Sequence, residues 1–320
     1  MQFMDFCAGI GGGRLGLEKL GLSCVAYSEI DETPNCTYKL FFGDNERNYG
    51  DLMKINANEL PDFDILIGGF PCQTFSIVGK REGFEDLRGQ VIYGLINILK
   101  AKNVPYFILE NVKGLVSHNK GHTLKVILTE LSNCGYNVKW KVLDSQYYGV
   151  PQMRERIYFV GIRNDLINRG KIFEFPDKMN EVDIRNYLID TENAVIDPYK
   201  NVTFQKYLNN KYNMGKFDLE EILSKDYLVL DTRQSDLRLY IGKIPTLRTG
   251  RHGILYVKDK KLKKLSAYES LLFQGFSKEL ADKARNKVLE NKLLSQTGNA
   301  MTVPVISAIG NSLLKYIGGI

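Results

Sequence analysis

Cysteine is sparse and irregular in this 320-residue chain: the five, at 7, 24, 36, 72 and 134, make an odd number with no CxxC pair, which argues against a disulfide framework and against a zinc site. Histidine is rarer still. His118 and His122 have the spacing of two ligands on a helix face, but Gly121 lies between them and no third ligand is near in sequence, so they read as loop polars and no metal is expected. No apolar run approaches the roughly 20 residues of a membrane-spanning helix. The opening MQFMDFCAGIGGG runs into glycines with no basic segment before it, which argues against a secretory signal and makes the cytoplasm the expected compartment. Internal repeats and low-complexity tracts are absent too. What is present is an ordinary globular composition, 44% hydrophobic and 25% charged, in a chain long enough for one large domain and a smaller one. The net charge of +6 decides nothing alone. Its distribution says more: nine Lys or Arg (238, 243, 248, 251, 258, 260, 261, 263, 264) stand against one acid, Asp259, a patch suited to phosphates or to a solvated hairpin.

Short apolar runs alternate with amphipathic stretches through the first half. Strands are expected at Gln2–Phe6, Cys24–Ser28, Asp64–Gly68, Tyr106–Glu110, Val138–Leu143 and Arg156–Ile162, and helices at Arg14–Leu20, Gln90–Lys100 and Thr123–Leu131. This βαβα order predicts an α/β fold, a mostly parallel sheet with helices on both faces, and it directs chemistry to the loops after the strands. Periodicity degrades near Phe175–Val182, and Glu181–Asp226 is polar. Short β-like runs then resume at YLVLDT and ILYVKD, followed by helices at Ala267–Phe273 and Lys278–Leu294. The stretch from SQTGNAM to the C-terminus reads as a core helix returning to the first domain.

Four short motifs carry chemistry. Ala8–Gly13 follows the first strand and opens a helix, so its backbone can approach a nucleotide-type cofactor. Arg14 stands where the dinucleotide fingerprint GxGxxG needs its last glycine, which counts against NAD or FAD. Glu29, some 20 residues on, is placed to accept two ribose hydroxyls, and Asp51 to hold an adenine amino group. The strand DILIG runs into Gly68-Gly69-Phe70-Pro71-Cys72-Gln73. A lone cysteine is usually a small buried hydrophobe; Cys72, in a rigid polar turn, suits an exposed thiol able to form a thiolate. Glu110, ending YFILE before Asn111-Val112, puts a carboxyl at the same edge, either as a helix cap or, kept protonated, as a donor to a ring nitrogen. Gln152, Arg154 and Arg156 alternate on one strand face.

The glycine loop, GGFPCQ, ENV and QMRERIYFVG, in this order, resemble the DNA (cytosine-5) methyltransferase family of bacterial restriction-modification systems over nearly the whole chain. Gly83–Gly89 (GFEDLRG) is similar to that family's mobile active-site loop, Thr246-Leu247 to its paired Thr-Leu, and Gln296–Met301 (QTGNAM) to its last cofactor motif. The resemblance implies a Rossmann-like S-adenosylmethionine-dependent fold, with residues 1–180 and 298–320 as catalytic and cofactor-binding domain, 181–265 as a smaller β-rich target-recognition domain and 266–297 as hinge helices. It implies S-adenosyl-L-methionine, leaving as S-adenosyl-L-homocysteine, among Gly9, Ile10, Gly11, Glu29, Ile30, Asp51, Leu52, Pro71 and Asn299. Cys7 stands where the family usually has phenylalanine, and Ile30 where an aromatic often covers the adenine.

The implied reaction flips a cytosine out of duplex DNA. The Cys72 thiolate adds to carbon 6, Glu110 protonates N3, and Arg156 with Arg154 nearby holds O2 and the adjacent backbone, while Arg88 grips a phosphate. Gln73, Ser76, Thr246, Leu247, Arg248 and Arg251 are the further DNA-binding candidates, with the Lys258–Lys264 cluster meeting phosphates. A separate cognate restriction endonuclease and a monomeric state are also implied. The alternatives are a tRNA methyltransferase of the same fold, whose usual Cys-Phe-Thr tripeptide is not found here, and a catalytically dead DNA-binding paralogue, against which the nucleophile, acid and arginines all stand.

Overall fold

The computed structural model describes residues 1–71, 91–168 and 170–318. Its elements in chain order begin with β1 Gln2–Phe6, α1 Gly12–Glu18, β2 Ser23–Ser28, α2 Glu32–Phe42, β3 Ile65–Gly69, α3 Val91–Lys102, β4 Tyr106–Val112, α4 His122–Asn133, β5 Tyr136–Asp144, β6 Gln152–Met153 and β7 Glu155–Arg163. They continue with β8 Val195–Ile196, α5 Val202–Leu208, α6 Leu219–Leu223, β9 Val229–Asp231, β10 Arg238–Tyr240, β11 Ile244–Pro245, β12 Ile254–Lys258, β13 Lys261–Lys264, α7 Ala267–Phe273, α8 Lys278–Ala284, α9 Glu290–Asn299 and α10 Val303–Ile317. They fall into two compact units, one of Met1–Asp144, Glu155–Asp177 and Met301–Ile320, the other of Ser145–Arg154 and Lys178–Ala300.

The first unit is built on a six-stranded sheet in the order β2-β1-β3-β4-β7-β5. β1 pairs in parallel with β2 and β3, and β3 with β4. Only β7 runs against its neighbours β4 and β5. The reason is local: a parallel partner for β4 at that position would need a crossover, usually a helix, and none lies between β5 and β7 in this unit. Period-two alternation sorts β1 between two layers. Met4 and Phe6 join Leu66, Phe107 and Leu109 in a core roofed by Ile92 and Leu95 of α3 and Leu124, Ile127 and Leu131 of α4. Asp5 turns to the opposite face, where a Cβ on Gly13 of α1 would stand 3.1 Å from Ile67 and 3.2 Å from Asp5. α10 closes this second layer: a Cβ on Gly16 would lie 2.5 Å from Ile306, so α1 carries glycine where it lies against α10.

The second unit holds a five-stranded antiparallel sheet, β10-β9-β12-β13-β8, and the two-stranded β11-β6 pair. Leu230, Leu237, Leu255, Val257 and Leu262 pack against α5 and α6 on one side. Val229, Ile244, Leu247, Ile254 and Tyr256 pack with Phe273 of α7 on the other. Ser266 and Glu269 form a reciprocal capping box at the start of α7.

Two sequence expectations change. The helix expected over Lys278–Leu294 is two helices, because Arg285 is extended and Asn286 left-handed (φ 61°), with the Arg285 guanidinium tied to Asp190 and Glu192. The C-terminal stretch likewise divides: α9 ends at Asn299 and belongs to the second unit, while α10 starts with Pro304 in its first turn and belongs to the first. Among the described residues, Glu290–Ile317 is long and apolar enough by composition to cross a membrane, a run the periodicity reading did not find, but 56% of its most apolar window is buried in the protein.

Candidate active site

The C-terminal ends of the parallel strands bring the candidates of the first unit to one edge. Register aligns Phe6 with Ser28 and with Gly68, Gly69 with Glu110, and Val112 with Arg156. The residues that follow β2, β1 and β3, and the end of β4, therefore share a single rim.

At β1 the chain turns through three left-handed residues, Cys7 (φ 52°), Gly9 (φ 56°) and Gly11 (φ 83°). The Gly9 N–H donates to Glu29 Oε2 at 2.7 Å, and the other carboxylate oxygen accepts from the Asp31 N–H at 2.8 Å. Burial pushes the Glu29 carboxyl up, opposed by these backbone donors. Asn48 clamps the same residue from outside: its Oδ1 accepts from the N–H groups of Glu29 (3.0 Å) and Gly50 (2.9 Å), and its Nδ2 donates to the Glu29 carbonyl. A parallel bridge between Tyr27 and Asn48 carries the following Asp51 to this rim, where its side chain accepts from the Met53 N–H. Sequence reasoning missed Asn48; its placement before a turning glycine was the available signal.

These residues fit a nucleoside. Nothing lies within 4 Å of where a Cβ on Gly9 would stand, so that backbone is open to close approach. Glu29 offers acceptors suited to a ribose diol, and Ile30 beside it is 71% exposed, an apolar side chain with no protein cover. Ile10 and Leu52 are buried, so neither side chain is open to a ligand, while Pro71 is exposed. Arg14, in place of the fingerprint glycine, packs its guanidinium over Phe42 at 4.3 Å and pairs with Glu18 and Glu46.

On the β4 side, Arg156 Nε lies 3.1 Å from Glu110 Oε1, with side chains only 13% and 11% exposed. The carboxyl, expected to be held protonated, thus meets a cation in an ion pair. Gly69 lies beside it: a Cβ there would stand 3.4 Å from Glu110 Oε2, in ordinary contact. Asn111 is buried and donates to the Phe70 carbonyl at 3.0 Å, fixing the chain two residues before Cys72. Cys72, Gln73, Ser76 and Arg88 lie outside the described residues. Of the other thiols, Cys7 and Cys24 are both pushed up to about 12, Cys7 by burial and the nearby Glu29 carboxylate, so they stay protonated and poor nucleophiles.

Apart from His118, the remaining residues belong to the second unit. Arg154 does not reach toward a substrate: it is 1% exposed and donates to the carbonyls of Leu247 (3.1 Å), Gly298 (3.2 Å) and Ala300 (2.9 Å). Its expected contact with a base gives way to this buried role, because the last carbonyls of α9 take its donors. The Leu247 side chain, expected at DNA, is 5% exposed and joins the apolar core. Thr246 donates its hydroxyl to the Met153 carbonyl. Arg248, Arg251 and Asn299 are exposed, as are Lys260 and Lys261. His118 Nδ1 lies 2.7 Å from the Thr123 hydroxyl at the start of α4.

The profile of the C-5 cytosine-specific DNA methylases matches residues 1–315. Type II methyltransferase M.BsuFI of Bacillus subtilis is 37% identical over 328 residues, covering 99% of this chain and 73% of that protein. M.HaeII of Haemophilus aegyptius is 34% identical, covering 98% and 93%. Among solved structures, Dnmt2 methyltransferase of S. pombe superposes with a TM-score of 0.69 at 20% identity over 98% of both chains, and EhMeth of Entamoeba histolytica with 0.70 at 18% identity over 99% and 97%. At these identities the superpositions show the fold.

Proposed function

The chain belongs to the C-5 cytosine-specific DNA methylase family, a family of DNA (cytosine-5) methyltransferases whose methyl donor is S-adenosyl-L-methionine, and on that premise we propose that it methylates one cytosine in a short duplex sequence through a covalent Cys72 adduct. The observation that carries this is the Glu110–Arg156 pair, a carboxyl and a guanidinium side by side on the rim that Gly69 and Phe70 reach, two residues before Cys72 in the sequence.

Carbon 5 of cytosine is a weak nucleophile, and a stacked base exposes neither face of carbon 6, so the base is flipped out. The Cys72 thiolate forms a bond to carbon 6, and the 5,6 electron pair becomes available at carbon 5. As the base enters, Arg156 leaves Glu110 to donate to O2, and the Glu110 carboxylate, no longer facing that cation, takes up a proton from solvent and delivers it to N3, where it neutralises this charge. When bound, the donor supplies an electrophilic sulfonium methyl. Gly9, Gly11, Glu29, Asp51 and Pro71 of the first unit would hold it, with Glu29 on the ribose, Asp51 on the adenine, Ile30 as apolar cover, and Ile10 and Leu52 beside them. After substitution, carbon 5 gives up its proton to a base, the electron pair restores the 5,6 double bond, and Cys72 leaves as thiolate.

The second unit reads the sequence, as target-recognition domain over 181–265 with helices of 266–297 as its hinge. Exposed Arg248 and Arg251 approach base edges and Lys258–Lys264 meet phosphates, with Gln73, Ser76 and Arg88 as further DNA contacts. The Type II relatives favour a role in protecting host DNA in the cytoplasm from a separately acting endonuclease, with the enzyme a monomer. A long mixed-sequence duplex carrying 5-fluorocytosine tests the adduct, because fluorine at carbon 5 blocks the final proton loss. Wild type with S-adenosylmethionine forms a species that survives denaturing electrophoresis, and Cys72→Ser forms none; an adduct with Cys72→Ser would assign the nucleophile elsewhere.

A further inference from the structure

In the second unit, one dipeptide is held by buried polar side chains on every side. β6 and β11 pair for only two residues, Gln152 with Ile244 and Met153 with Pro245, and then Thr246 and Leu247 leave the pair. Two such residues of pairing cannot fix a strand end by themselves. Side chains complete the task. Buried Gln152 accepts the Leu247 N–H at 3.0 Å and anchors itself by donating to the Phe273 carbonyl at 2.8 Å. The Thr246 carbonyl accepts from Arg233 Nη1 at 2.7 Å, and the Leu247 carbonyl from Arg154.

The two arginines are themselves over-determined. Arg233, with a side chain 2% exposed, forms a fork with Asp231 at 2.7 and 2.9 Å. Arg154 spans from the Leu247 carbonyl to those of Gly298 and Ala300, the negative end of α9. Burying a guanidinium is costly unless fixed acceptors meet it, and each of these gives one hydrogen bond to a main-chain carbonyl of the turn, Arg233 to Thr246 and Arg154 to Leu247, while its other bonds anchor it to Asp231 or to the end of α9. Immediately beyond it, a Cβ on Gly298 would stand 2.4 Å from the backbone of Arg248 and Thr249, so the emerging chain lies against α9. Then Arg248, Thr249, Gly250 and Arg251 are all exposed.

We propose that Arg154 and the Asp231–Arg233 pair are positioning residues for target-sequence readout: with Gln152 they fix the Thr246–Leu247 backbone so that Arg248 presents its guanidinium to a base edge in a set direction. The proposal rests on the DNA-reading role given above to this unit. Bidentate readout of a base needs a side chain whose root is fixed, because a mobile root lets the same arginine reach neighbouring bases. Arg154 therefore acts through Leu247 and belongs to recognition, whereas Arg156, two residues later, acts at the reacting base.

The test uses full-length protein with the pair replaced as a unit, Asp231→Leu with Arg233→Met, which leaves no buried charge unpaired, and separately Arg154→Lys. Trypsin cleavage after Arg248 and Arg251 is followed first and does not depend on activity. The clamp predicts cleavage faster by about tenfold, the equivalent of one lost hydrogen bond, with circular dichroism unchanged. Methylation is then compared between the target motif and its single-base variants. The double variant keeps kcat on the target within a few fold, while its preference over the variants falls by about tenfold or more, in the range one base contact supplies. Unchanged trypsin cleavage in a folded double variant overturns the clamp. Accelerated cleavage with intact site preference overturns the link to readout, and an Arg154→Lys loss confined to kcat would make Arg154 a contact of the reacting base. A wild type that shows the trypsin behaviour but methylates no cytosine would instead strike the proposed function itself, and with it the readout role.

Discussion

Single residues in this protein are constrained in ways that separate folding from chemistry. Gly12 is required by contact: a Cβ there would stand 2.2 Å from the Met301 carbonyl oxygen, so Gly12→Ala must push α1 from that backbone and destabilise by about 1–3 kcal/mol, measurable by denaturant unfolding. Gly9 has no such neighbour, and Gly9→Ala bears only the cost of a left-handed residue, about 1–2 kcal/mol. Asn48 matters through Glu29. Asn48→Ala removes two hydrogen bonds to the Glu29 backbone and one to that of Gly50, and S-adenosylhomocysteine binding by calorimetry should weaken by about tenfold with the nucleophile untouched. Unchanged affinity would mean that Glu29 is held without it.

Among the elements, the parallel strands were legible because they are continuous apolar runs. β1 was placed to the residue, and β3 and β4 to within two positions. α2 escaped, its N-terminus marked only by Asp31, which caps Thr33. The break after α8 was missed although Asn286, a poor helix former that adopts the left-handed conformation at helix ends, was a signal for it; Arg285, just before it, turns out of the helix to reach Asp190, nearly a hundred residues away in sequence. Arg154 was misread because the carbonyls that claim it come from residues 247, 298 and 300, and spacing along the chain carries no trace of them. Glu110 and Arg156 meet only because β7 runs antiparallel to β4, which an alternating βα pattern does not show; the family resemblance, not the pattern, put the two at one base. The α7 capping box also has a pH signature. Burial pushes Glu269 up to about 7, opposed by hydrogen bonds from Tyr256, Ser266 and Asp190. A carboxyl raised in the folded state stabilises fully below its unfolded value near 4.5, and that stability is lost as pH rises toward about 7, on the order of 3 kcal/mol. Unfolding in urea at pH 5 and pH 7.5 should show this decline, and Glu269→Gln should flatten it.

On the scale of the whole molecule, a mild net charge of +6 conceals a concentrated basic segment, and binding to duplex DNA should weaken linearly in log–log plots against salt. Lys261→Ala should lower that slope by about one while leaving the preferred sequence intact, and Arg248→Ala should relax the preference; equal effects would erase the distinction between phosphate and base contacts. The central claim is tested most directly by transfer of tritiated methyl from S-adenosylmethionine to duplex DNA and, in parallel, to tRNA, using wild type and Cys72→Ser, with bisulfite sequencing of the product. The account predicts label at carbon 5 of one cytosine in a short duplex motif and none with Cys72→Ser; label confined to tRNA, or methylation that persists without the thiol, would contradict it.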